Sequence, residues 1–431
     1  MLITLLWGFK ELWLHYIREK YEQHWKWVVL SIDVPKDNEQ SPKAVESIFA
    51  QVAGALTSGN LIEKYIKGKV QEPFSFEIAS HEGYVRFYVR TTVQFRDLIE
   101  AAIYAQYPSA EIMEIDDYTP FAPANFPNEE YNLWGTEFVL QNKEAYPIRT
   151  YVEFEHTLSQ EFKDPMAAFL EALSKLGVGE HIWTQIIIKP VSDHWKEEGI
   201  LIAKKLIGAK VEEKAGIIEK TLGLAHSVFA NVVAEIMTAG EEHETKTREA
   251  ISIMQFLSPG ERRVVESIQM KLGKIGFKTK FRMIYLAKKE IFQKGRGVAP
   301  VMGAIKQFNT LDLNGFKTAK GVTTKANYFR VAKRTAAKQT KIIKRYKKRS
   351  LAGGSPPYIL NIEELASIFH FPVMTVKAPL VKKTESKRAE PPISLPIDRG
   401  ISAPPAPTYS KSAPPDELPT EHSAPSNLPI R

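Results

Sequence analysis

The stretch Pro73–Thr92 reads PFSFEIASHEGYVRFYVRTT. Phe74, Phe76 and Ile78 alternate with polar residues before HEG, and Val85, Phe87 and Val89 do so after it. Period-two alternation marks a strand with one buried face, and a glycine-containing break between two such runs marks a hairpin. Upstream, WKWVVLSIDVP (25–35) reads as a strand and SPKAVESIFAQVAGALTSG (41–59) as a helix. Ser41 is a good N-cap, Pro42 suits the first helical position, and Gly59 follows the end. Ala44, Val45, Ile48, Phe49, Val52 and Leu56 recur at helical spacing. Downstream, VQFRDLIEAAIYAQYP is a helix and AEIMEIDDY a strand, its acidic end read as solvated. The order over 25–120 is βαββαβ, the split motif of ferredoxin-like folds.

A related order follows over 130–312. LWGTEFVLQ, RTYVEFEH, EHIWTQIIIKPV and FKTKFRMIYLA read as strands. DPMAAFLEALSKLG reads as a helix with Asp164 as its cap, and APVMGAIKQF as a short helix. Ser258 and Glu261 form a capping box in front of SPGERRVVESIQMKLGKIG. A helical excursion, about 195–257, interrupts this unit. The expected fold class is therefore α+β: two ferredoxin-like (βαββαβ-type) units in series, the second with a helical insertion. A polybasic segment with a helix (313–350), a short docking helix (351–381) and a Pro-rich disordered tail (382–431) complete the chain.

The chain has 431 residues, room for two or three domains, and no cysteine. Disulfides, thiol nucleophiles and zinc–thiolate sites are thereby excluded. No Walker A loop, GxSxG or HExxH occurs, and no two histidines stand at i, i+4 on a helix. No catalytic, cofactor-binding or metal-ligating residue is expected, and the chain reads as a non-enzyme. The net charge of +8 is unevenly placed. Lys317–Arg349 holds thirteen Lys/Arg and no Asp/Glu, which leaves 45 basic against 50 acidic residues elsewhere. Arguments about anionic partners belong to that segment.

Its helix, about Tyr328 to Lys348, has apolar residues too sparse for a fully buried face. Lys333, Arg334, Lys338, Lys341, Lys344, Arg345, Lys347, Lys348 and Arg349 are the candidate anion contacts. They could meet anionic lipid or nucleic-acid phosphates, with Tyr328, Phe329 and Tyr346 available to stack on bases, or the helix could be a solvated linker. The next stretch, YILNIEELASIFHFP (358–372), reads as one helix with Asn361 as N-cap and Pro372 as its stop. Its stripe of Ile362, Leu365, Ala366 and Phe369 is too short a helix to stand alone in water. It docks either on this chain or in a partner's groove.

The N-terminal stretch MLITLLWGFKELWLHYIREK is too short in apolar residues to span a bilayer as written. Trp7, Phe9, Trp13 and Tyr16, followed by Arg18 and Lys20, are the residue types of a membrane–water boundary. Residues 1–24 thus read as an interfacial helix, as the inner end of a spanning helix that starts upstream, or as a helix packed on the chain's own core.

SPKAVESIFA, NLIEKYIKGKVQEPFSFEI, LIEAAIYAQYPSAEIMEIDDY, LWGTEFVL, AYPIRTY, LSPGERRVVESI and NIEELASIFHFP carry a resemblance. Over roughly residues 10–396 the chain resembles an uncharacterised family from candidate-phylum bacteria. That family is similar to the non-ATPase N-terminal region of FtsK/HerA-type ATPases of type IV secretion and conjugation. The resemblance implies an accessory or scaffold protein at the cytoplasmic face of the cell membrane. It also implies a separately encoded FtsK/HerA-type ATPase as partner, with anionic membrane and DNA as further partners; the nucleotide-binding domain found in the ATPase-bearing relatives is not expected in this polypeptide.

Overall fold

The computed structural model describes residues 2–35, 38–154, 164–207 and 257–373. The hairpin read from the sequence is present. Strand β2 (Phe74–His81) pairs antiparallel with β3 (Tyr84–Thr92), from Ser75↔Arg90 to His81↔Tyr84. Glu82 and Gly83 both take positive φ (54° and 89°) in the two-residue turn, the geometry that matches strand twist. Strand β1 (Trp27–Asp33) pairs with β3 on one side and β4 (Glu111–Ile115) on the other. Helices α2 (Pro42–Val52) and α4 (Arg96–Gln106) make the crossovers. The short α3 (Leu61–Tyr65) lies between α2 and β2, and α1 (Leu2–Glu22) precedes β1.

The later strands are β5 (Tyr131–Leu140), β6 (Glu180–Pro190), β7 (Gly276–Lys288), β8 (Phe316–Thr318) and β9 (Tyr358–Asn361). With them come α5 (Met166–Ser174), α6 (Lys196–Leu206), α7 (Pro259–Leu272), α8 (Lys294–Lys306), α9 (Val331–Lys347) and α10 (Ile362–Ile368). The described residues thus form a mixed α+β fold: a nine-stranded antiparallel sheet with ten α-helices. The strand order is β4-β1-β3-β2-β6-β7-β5-β8, with β9 added to the free end of β7. The first half runs β4-β1-β3-β2 and the second repeats that order as β8-β5-β7-β6. The two halves share one sheet because β2 and β6 pair over eight residues, Phe74↔Ile188 to His81↔His181.

Both faces of the sheet are covered. Phe76, Ile78, Phe87, Ile186, Phe277 and Met283 face a core closed by α2, α4, α5, α8 and α10. On the opposite face Tyr88, Trp183, Ile284 and Leu286 meet Ile342, Ile343 and Tyr346 of α9. Of the expected elements, the capping box of Ser258 and Glu261 is formed. RTYVEFEH is a correction: Tyr151–Phe154 is a 3-10 turn, and residues 155 and 156 lie outside the described residues. The N–H groups of Ile148 and Tyr151 are taken by Glu364 Oε1 and Ser367 Oγ of α10, so no strand neighbour is needed. YILNIEELASIFHFP is likewise two elements: Tyr358–Asn361 extends the sheet, and the helix starts only after Asn361, whose side chain caps it in a box with Glu364. The excursion beyond Ile207, up to residue 256, and the expected tail 382–431 lie outside the described residues.

Candidate functional site

A row of polar side chains crosses the centre of the sheet on the α9 face. Glu77 of β2 stands opposite Gln185 of β6, which stands opposite Arg282 of β7, which stands opposite Glu137 of β5. All four are fully buried. Gln185 Nε2 donates to Glu77 Oε1 at 2.9 Å, and Arg282 Nη1 donates to Gln185 Oε1 at 2.8 Å. Arg282 also donates from Nε and Nη2 to Glu137 Oε1 at 3.0 and 2.8 Å. Buried charge is tolerable only when it is paired and its remaining hydrogen-bonding capacity is filled, and this row meets that condition.

The row holds the C-terminal end of α9. Arg282 donates to the carbonyls of Arg345 and Ser350 at 3.2 and 3.0 Å, and Gln185 donates to that of Tyr346 at 3.2 Å. The Arg345 and Tyr346 carbonyls also accept from the backbone N–H groups of Ser350 and Arg349, so the row adds a second bond to each and ties the loop after the helix to the sheet. Lys280 donates to Gly353 O at 2.8 Å; burial pushes its ammonium down to about 8. Gly354 sits at φ +105°, and a Cβ there would strike the Glu137 carboxylate, so the loop after α9 closes on the row only with glycine.

Arg349 is the fourth clamp. It is buried, and it donates to Glu77 from Nε at 3.0 Å and from Nη2 at 3.2 Å. Its Nη2 also reaches Asp117 at 2.9 Å. The Tyr118 hydroxyl donates to Glu77 at 2.7 Å and lies 2.9 Å from the Tyr346 hydroxyl. Burial alone would raise the Glu77 carboxyl, but Arg349, Ser75 and Tyr118 outweigh it and hold the group below its ordinary value. Asp117 is lowered in the same way: burial opposes, and Arg349 prevails. Two readings are corrected here. Arg349 leaves the set of candidate anion contacts because two carboxylates enclose it. The EIDDY strand end is not wholly solvated, because Asp117 and Tyr118 turn in to meet Arg349 and Glu77.

The outer side of α9 differs. Arg334, Lys338, Lys341, Arg345 and Lys348 follow one another at intervals of four, three, four and three, which aligns them on one face. The stripe is roughly 21 Å long at the α-helical rise. Lys333 and Lys344 flank it, both exposed. Lys338 donates to the carbonyls of Thr323 and Lys325 at 3.1 and 2.9 Å, and Arg334 to that of Asn327 at 3.0 Å, which fixes the segment before the helix. Lys347 turns inward and donates to Ala122 O at 2.5 Å; burial lowers its ammonium. Among the described residues no carboxylate pairs with any cation of α9. An open groove of about 460 Å³ runs beside the stripe, lined by Lys338, Lys341, Arg345, Gly321, Val322 and the Gly354–Ser355 loop. The helix begins later than expected because Tyr328 and Arg330 take positive φ (69° and 48°). Tyr328 and Phe329 stand exposed there, at 97% and 69%.

A second surface lies at the N-terminus. Leu14 and Ile17 bury one side of α1, and Gly68 (φ +71°) approaches the Ile17 carbonyl where a Cβ would collide. Trp13 Nε1 donates to Tyr65 O at 3.0 Å. Leu5, Phe9, Leu12 and Tyr16 lie on the opposite side at helical spacing, each more than half exposed, and Trp7 is exposed as well. Leu61, Ile62 and Ile66, on and after α3, extend the apolar surface. Arg18 and Lys20 are exposed, as are Lys10, Lys64 and Lys67. Sequence reasoning named the aromatic residues of α1 but not the aliphatic ones on and after α3, a five-residue helix too short to carry a periodic signal.

The docking stripe of α10 is spent on this chain. Leu365 and Ala366 are fully buried, Phe369 and Ile362 nearly so, and the Phe369 ring meets those of Phe49, Phe76 and Phe87. They do not form an exposed stripe for a partner. His370 bonds Asp164 at 2.8 Å and closes the same end. Sequence reasoning missed Glu77, Gln185, Arg282 and Glu137. The available signal was a charged or amide residue on the second face of an otherwise apolar strand, as in FSFEIAS and FRMIYLA.

Among the described residues, no group of His, Asp and Glu has the arrangement of a metal site, and no helix is long and apolar enough to cross a membrane. The chain belongs to the family described as a domain of unknown function (DUF8128), whose profile matches residues 17–384. No curated protein matches it.

Proposed function

We propose that this member of the DUF8128 family is a scaffold that rests on a membrane surface and acts by binding rather than by catalysis. The observation that carries the reading is the apolar face of α1, where Leu5, Phe9, Leu12 and Tyr16 lie opposite the side that docks on the body. A face of this kind gains by entering the headgroup–acyl boundary, where aromatic residues are favoured and neighbouring lysines meet anionic lipid. Lys10, Arg18, Lys20, Lys64 and Lys67 supply that rim. The repeated strand order supports reading the two halves as ferredoxin-like units joined at their β2-type edges. The sequence resemblance extends the reading to a type IV secretion-like apparatus with a separate FtsK/HerA-type ATPase at the cytoplasmic face. Co-purification of such an ATPase, encoded beside this chain, tests that extension.

The membrane contact is tested by tryptophan emission with vesicles containing brominated phosphatidylserine. Trp13, which follows Leu12 and borders this face, enters the quenching zone if α1 inserts, so emission falls, and the loss disappears in Trp13→Phe. Unchanged emission at saturating vesicles sinks the reading.

A further inference from the structure

The outer face of α9 carries more positive charge than the fold uses. The clamp consumes Arg349 and Lys347, and Arg334 and Lys338 hold the segment before the helix. Lys341, Lys344, Arg345 and Lys348 make no ion pair among the described residues. Like charges at i, i+3 and i, i+4 destabilise a helix, so this stripe costs stability until an anion lies along it. Two features beside it bear on which anion. The groove of about 460 Å³ is lined by the cations Lys338, Lys341 and Arg345 together with Gly321, Val322, Gly354 and Ser355. At the start of the helix Tyr328 and Phe329 are exposed, on a turn with two left-handed non-glycine residues. Such backbone is disfavoured and persists where surrounding contacts impose it; the Arg334 bond to Asn327 O is one of them.

We propose that this face binds single-stranded nucleic acid, with phosphodiesters in the groove against Lys341 and Arg345 and bases stacked on Tyr328 and Phe329. Exposed aromatic rings next to a cationic track suit unpaired bases, whose faces are open, whereas a duplex offers only its phosphates. The site is separate from the α1 surface and does not depend on it.

Fluorescence anisotropy of the full chain with a labelled twenty-nucleotide oligothymidine tests the proposal, with a blunt duplex of equal length as comparison. The single strand should bind more tightly than the duplex. Lys341→Glu/Arg345→Glu should weaken single-strand binding more than tenfold and make the salt dependence shallower, by about 1.4 in the log–log slope for two lost contacts. Tyr328→Ala/Phe329→Ala should weaken it at least fivefold with the slope unchanged. All four substituted side chains are exposed or half-buried, so both variants should melt with the parent protein. No binding of the oligomer at 50 mM salt, equal binding of duplex, or indifference to both variants overturns the proposal. Loss of anionic-vesicle binding in the charge-reversal variant, with oligomer binding intact, assigns the stripe to lipid and also overturns it.

Discussion

Arg349 shows what a single side chain contributes to this fold. It is one of thirteen basic residues in a run without acids, and charge counting treats all thirteen alike. Its partners Glu77 and Asp117 lie 272 and 232 positions away, so nothing local marks it as buried. Removing one member of a buried pair leaves the other charge uncompensated, at a cost of about 3–5 kcal/mol. Arg349→Met should therefore lower the urea midpoint by that equivalent, with oligomer binding unaffected at temperatures where the variant is folded. The pH dependence follows from the same contacts. Glu77 and Asp117 are held below their ordinary values, so they stabilise the fold above the carboxylate range. That contribution is lost as pH falls below about 4. In Arg349→Met the acid-induced loss should be smaller. His81 acts in a separate window. Burial, with His181 and Arg86 nearby, pushes it down to about 4. Between pH 6.5 and 4 the unfolded chain takes up a proton that the folded chain does not, so stability falls as pH drops through that range. His81→Phe should flatten the melting temperature there, and an unchanged profile counts against the burial of His81 as the cause.

At the scale of elements, the clearest parts of the sequence were those with a local mechanism. The 73–92 hairpin follows from alternation and a Glu82–Gly83 turn, and the Ser258 and Asn361 helix starts follow from capping boxes. β9 was hidden because YIL is apolar throughout and only pairing with Gly276–Thr279 makes it a strand. The same pairing brings α10 over Phe49, Phe76 and Phe87, which decides between docking on this chain and docking on a partner. Leu365 is fully buried there. Leu365→Ala should cost about 2–5 kcal/mol in chemical denaturation. A change within 0.5 kcal/mol would mean that the stripe does not belong to this core. The basic helix is half legible: its cations announce an exposed face, but the carbonyls at its end are met by Arg282 and Gln185 from strands read as plain core.

At the scale of the molecule, the presence of two α/β halves was legible, but the strand order of the second and the union of the two were not: β8 (Phe316–Thr318) lies in the stretch read as polybasic. Edge pairing between β2 and β6 leaves no trace in the periodicity of either strand, since any antiparallel neighbour satisfies the same pattern. The polar row crosses that junction, with Glu77 on one side and Gln185, Arg282 and Glu137 on the other. The halves should therefore unfold together. Calorimetry of the full chain should give one transition with equal calorimetric and van't Hoff enthalpies, and two separated transitions would contradict a shared sheet.

The membrane-scaffold reading concerns one surface of the whole molecule, and flotation with vesicles measures it most directly. The full chain should rise with vesicles rich in phosphatidylserine and stay at the bottom with neutral vesicles at physiological salt. Leu5→Ser/Phe9→Ser/Leu12→Ser should abolish flotation without shifting the melting temperature, because those residues face away from the body. Parent protein that remains at the bottom with anionic vesicles, or a triple variant that floats as well as the parent, would contradict the account.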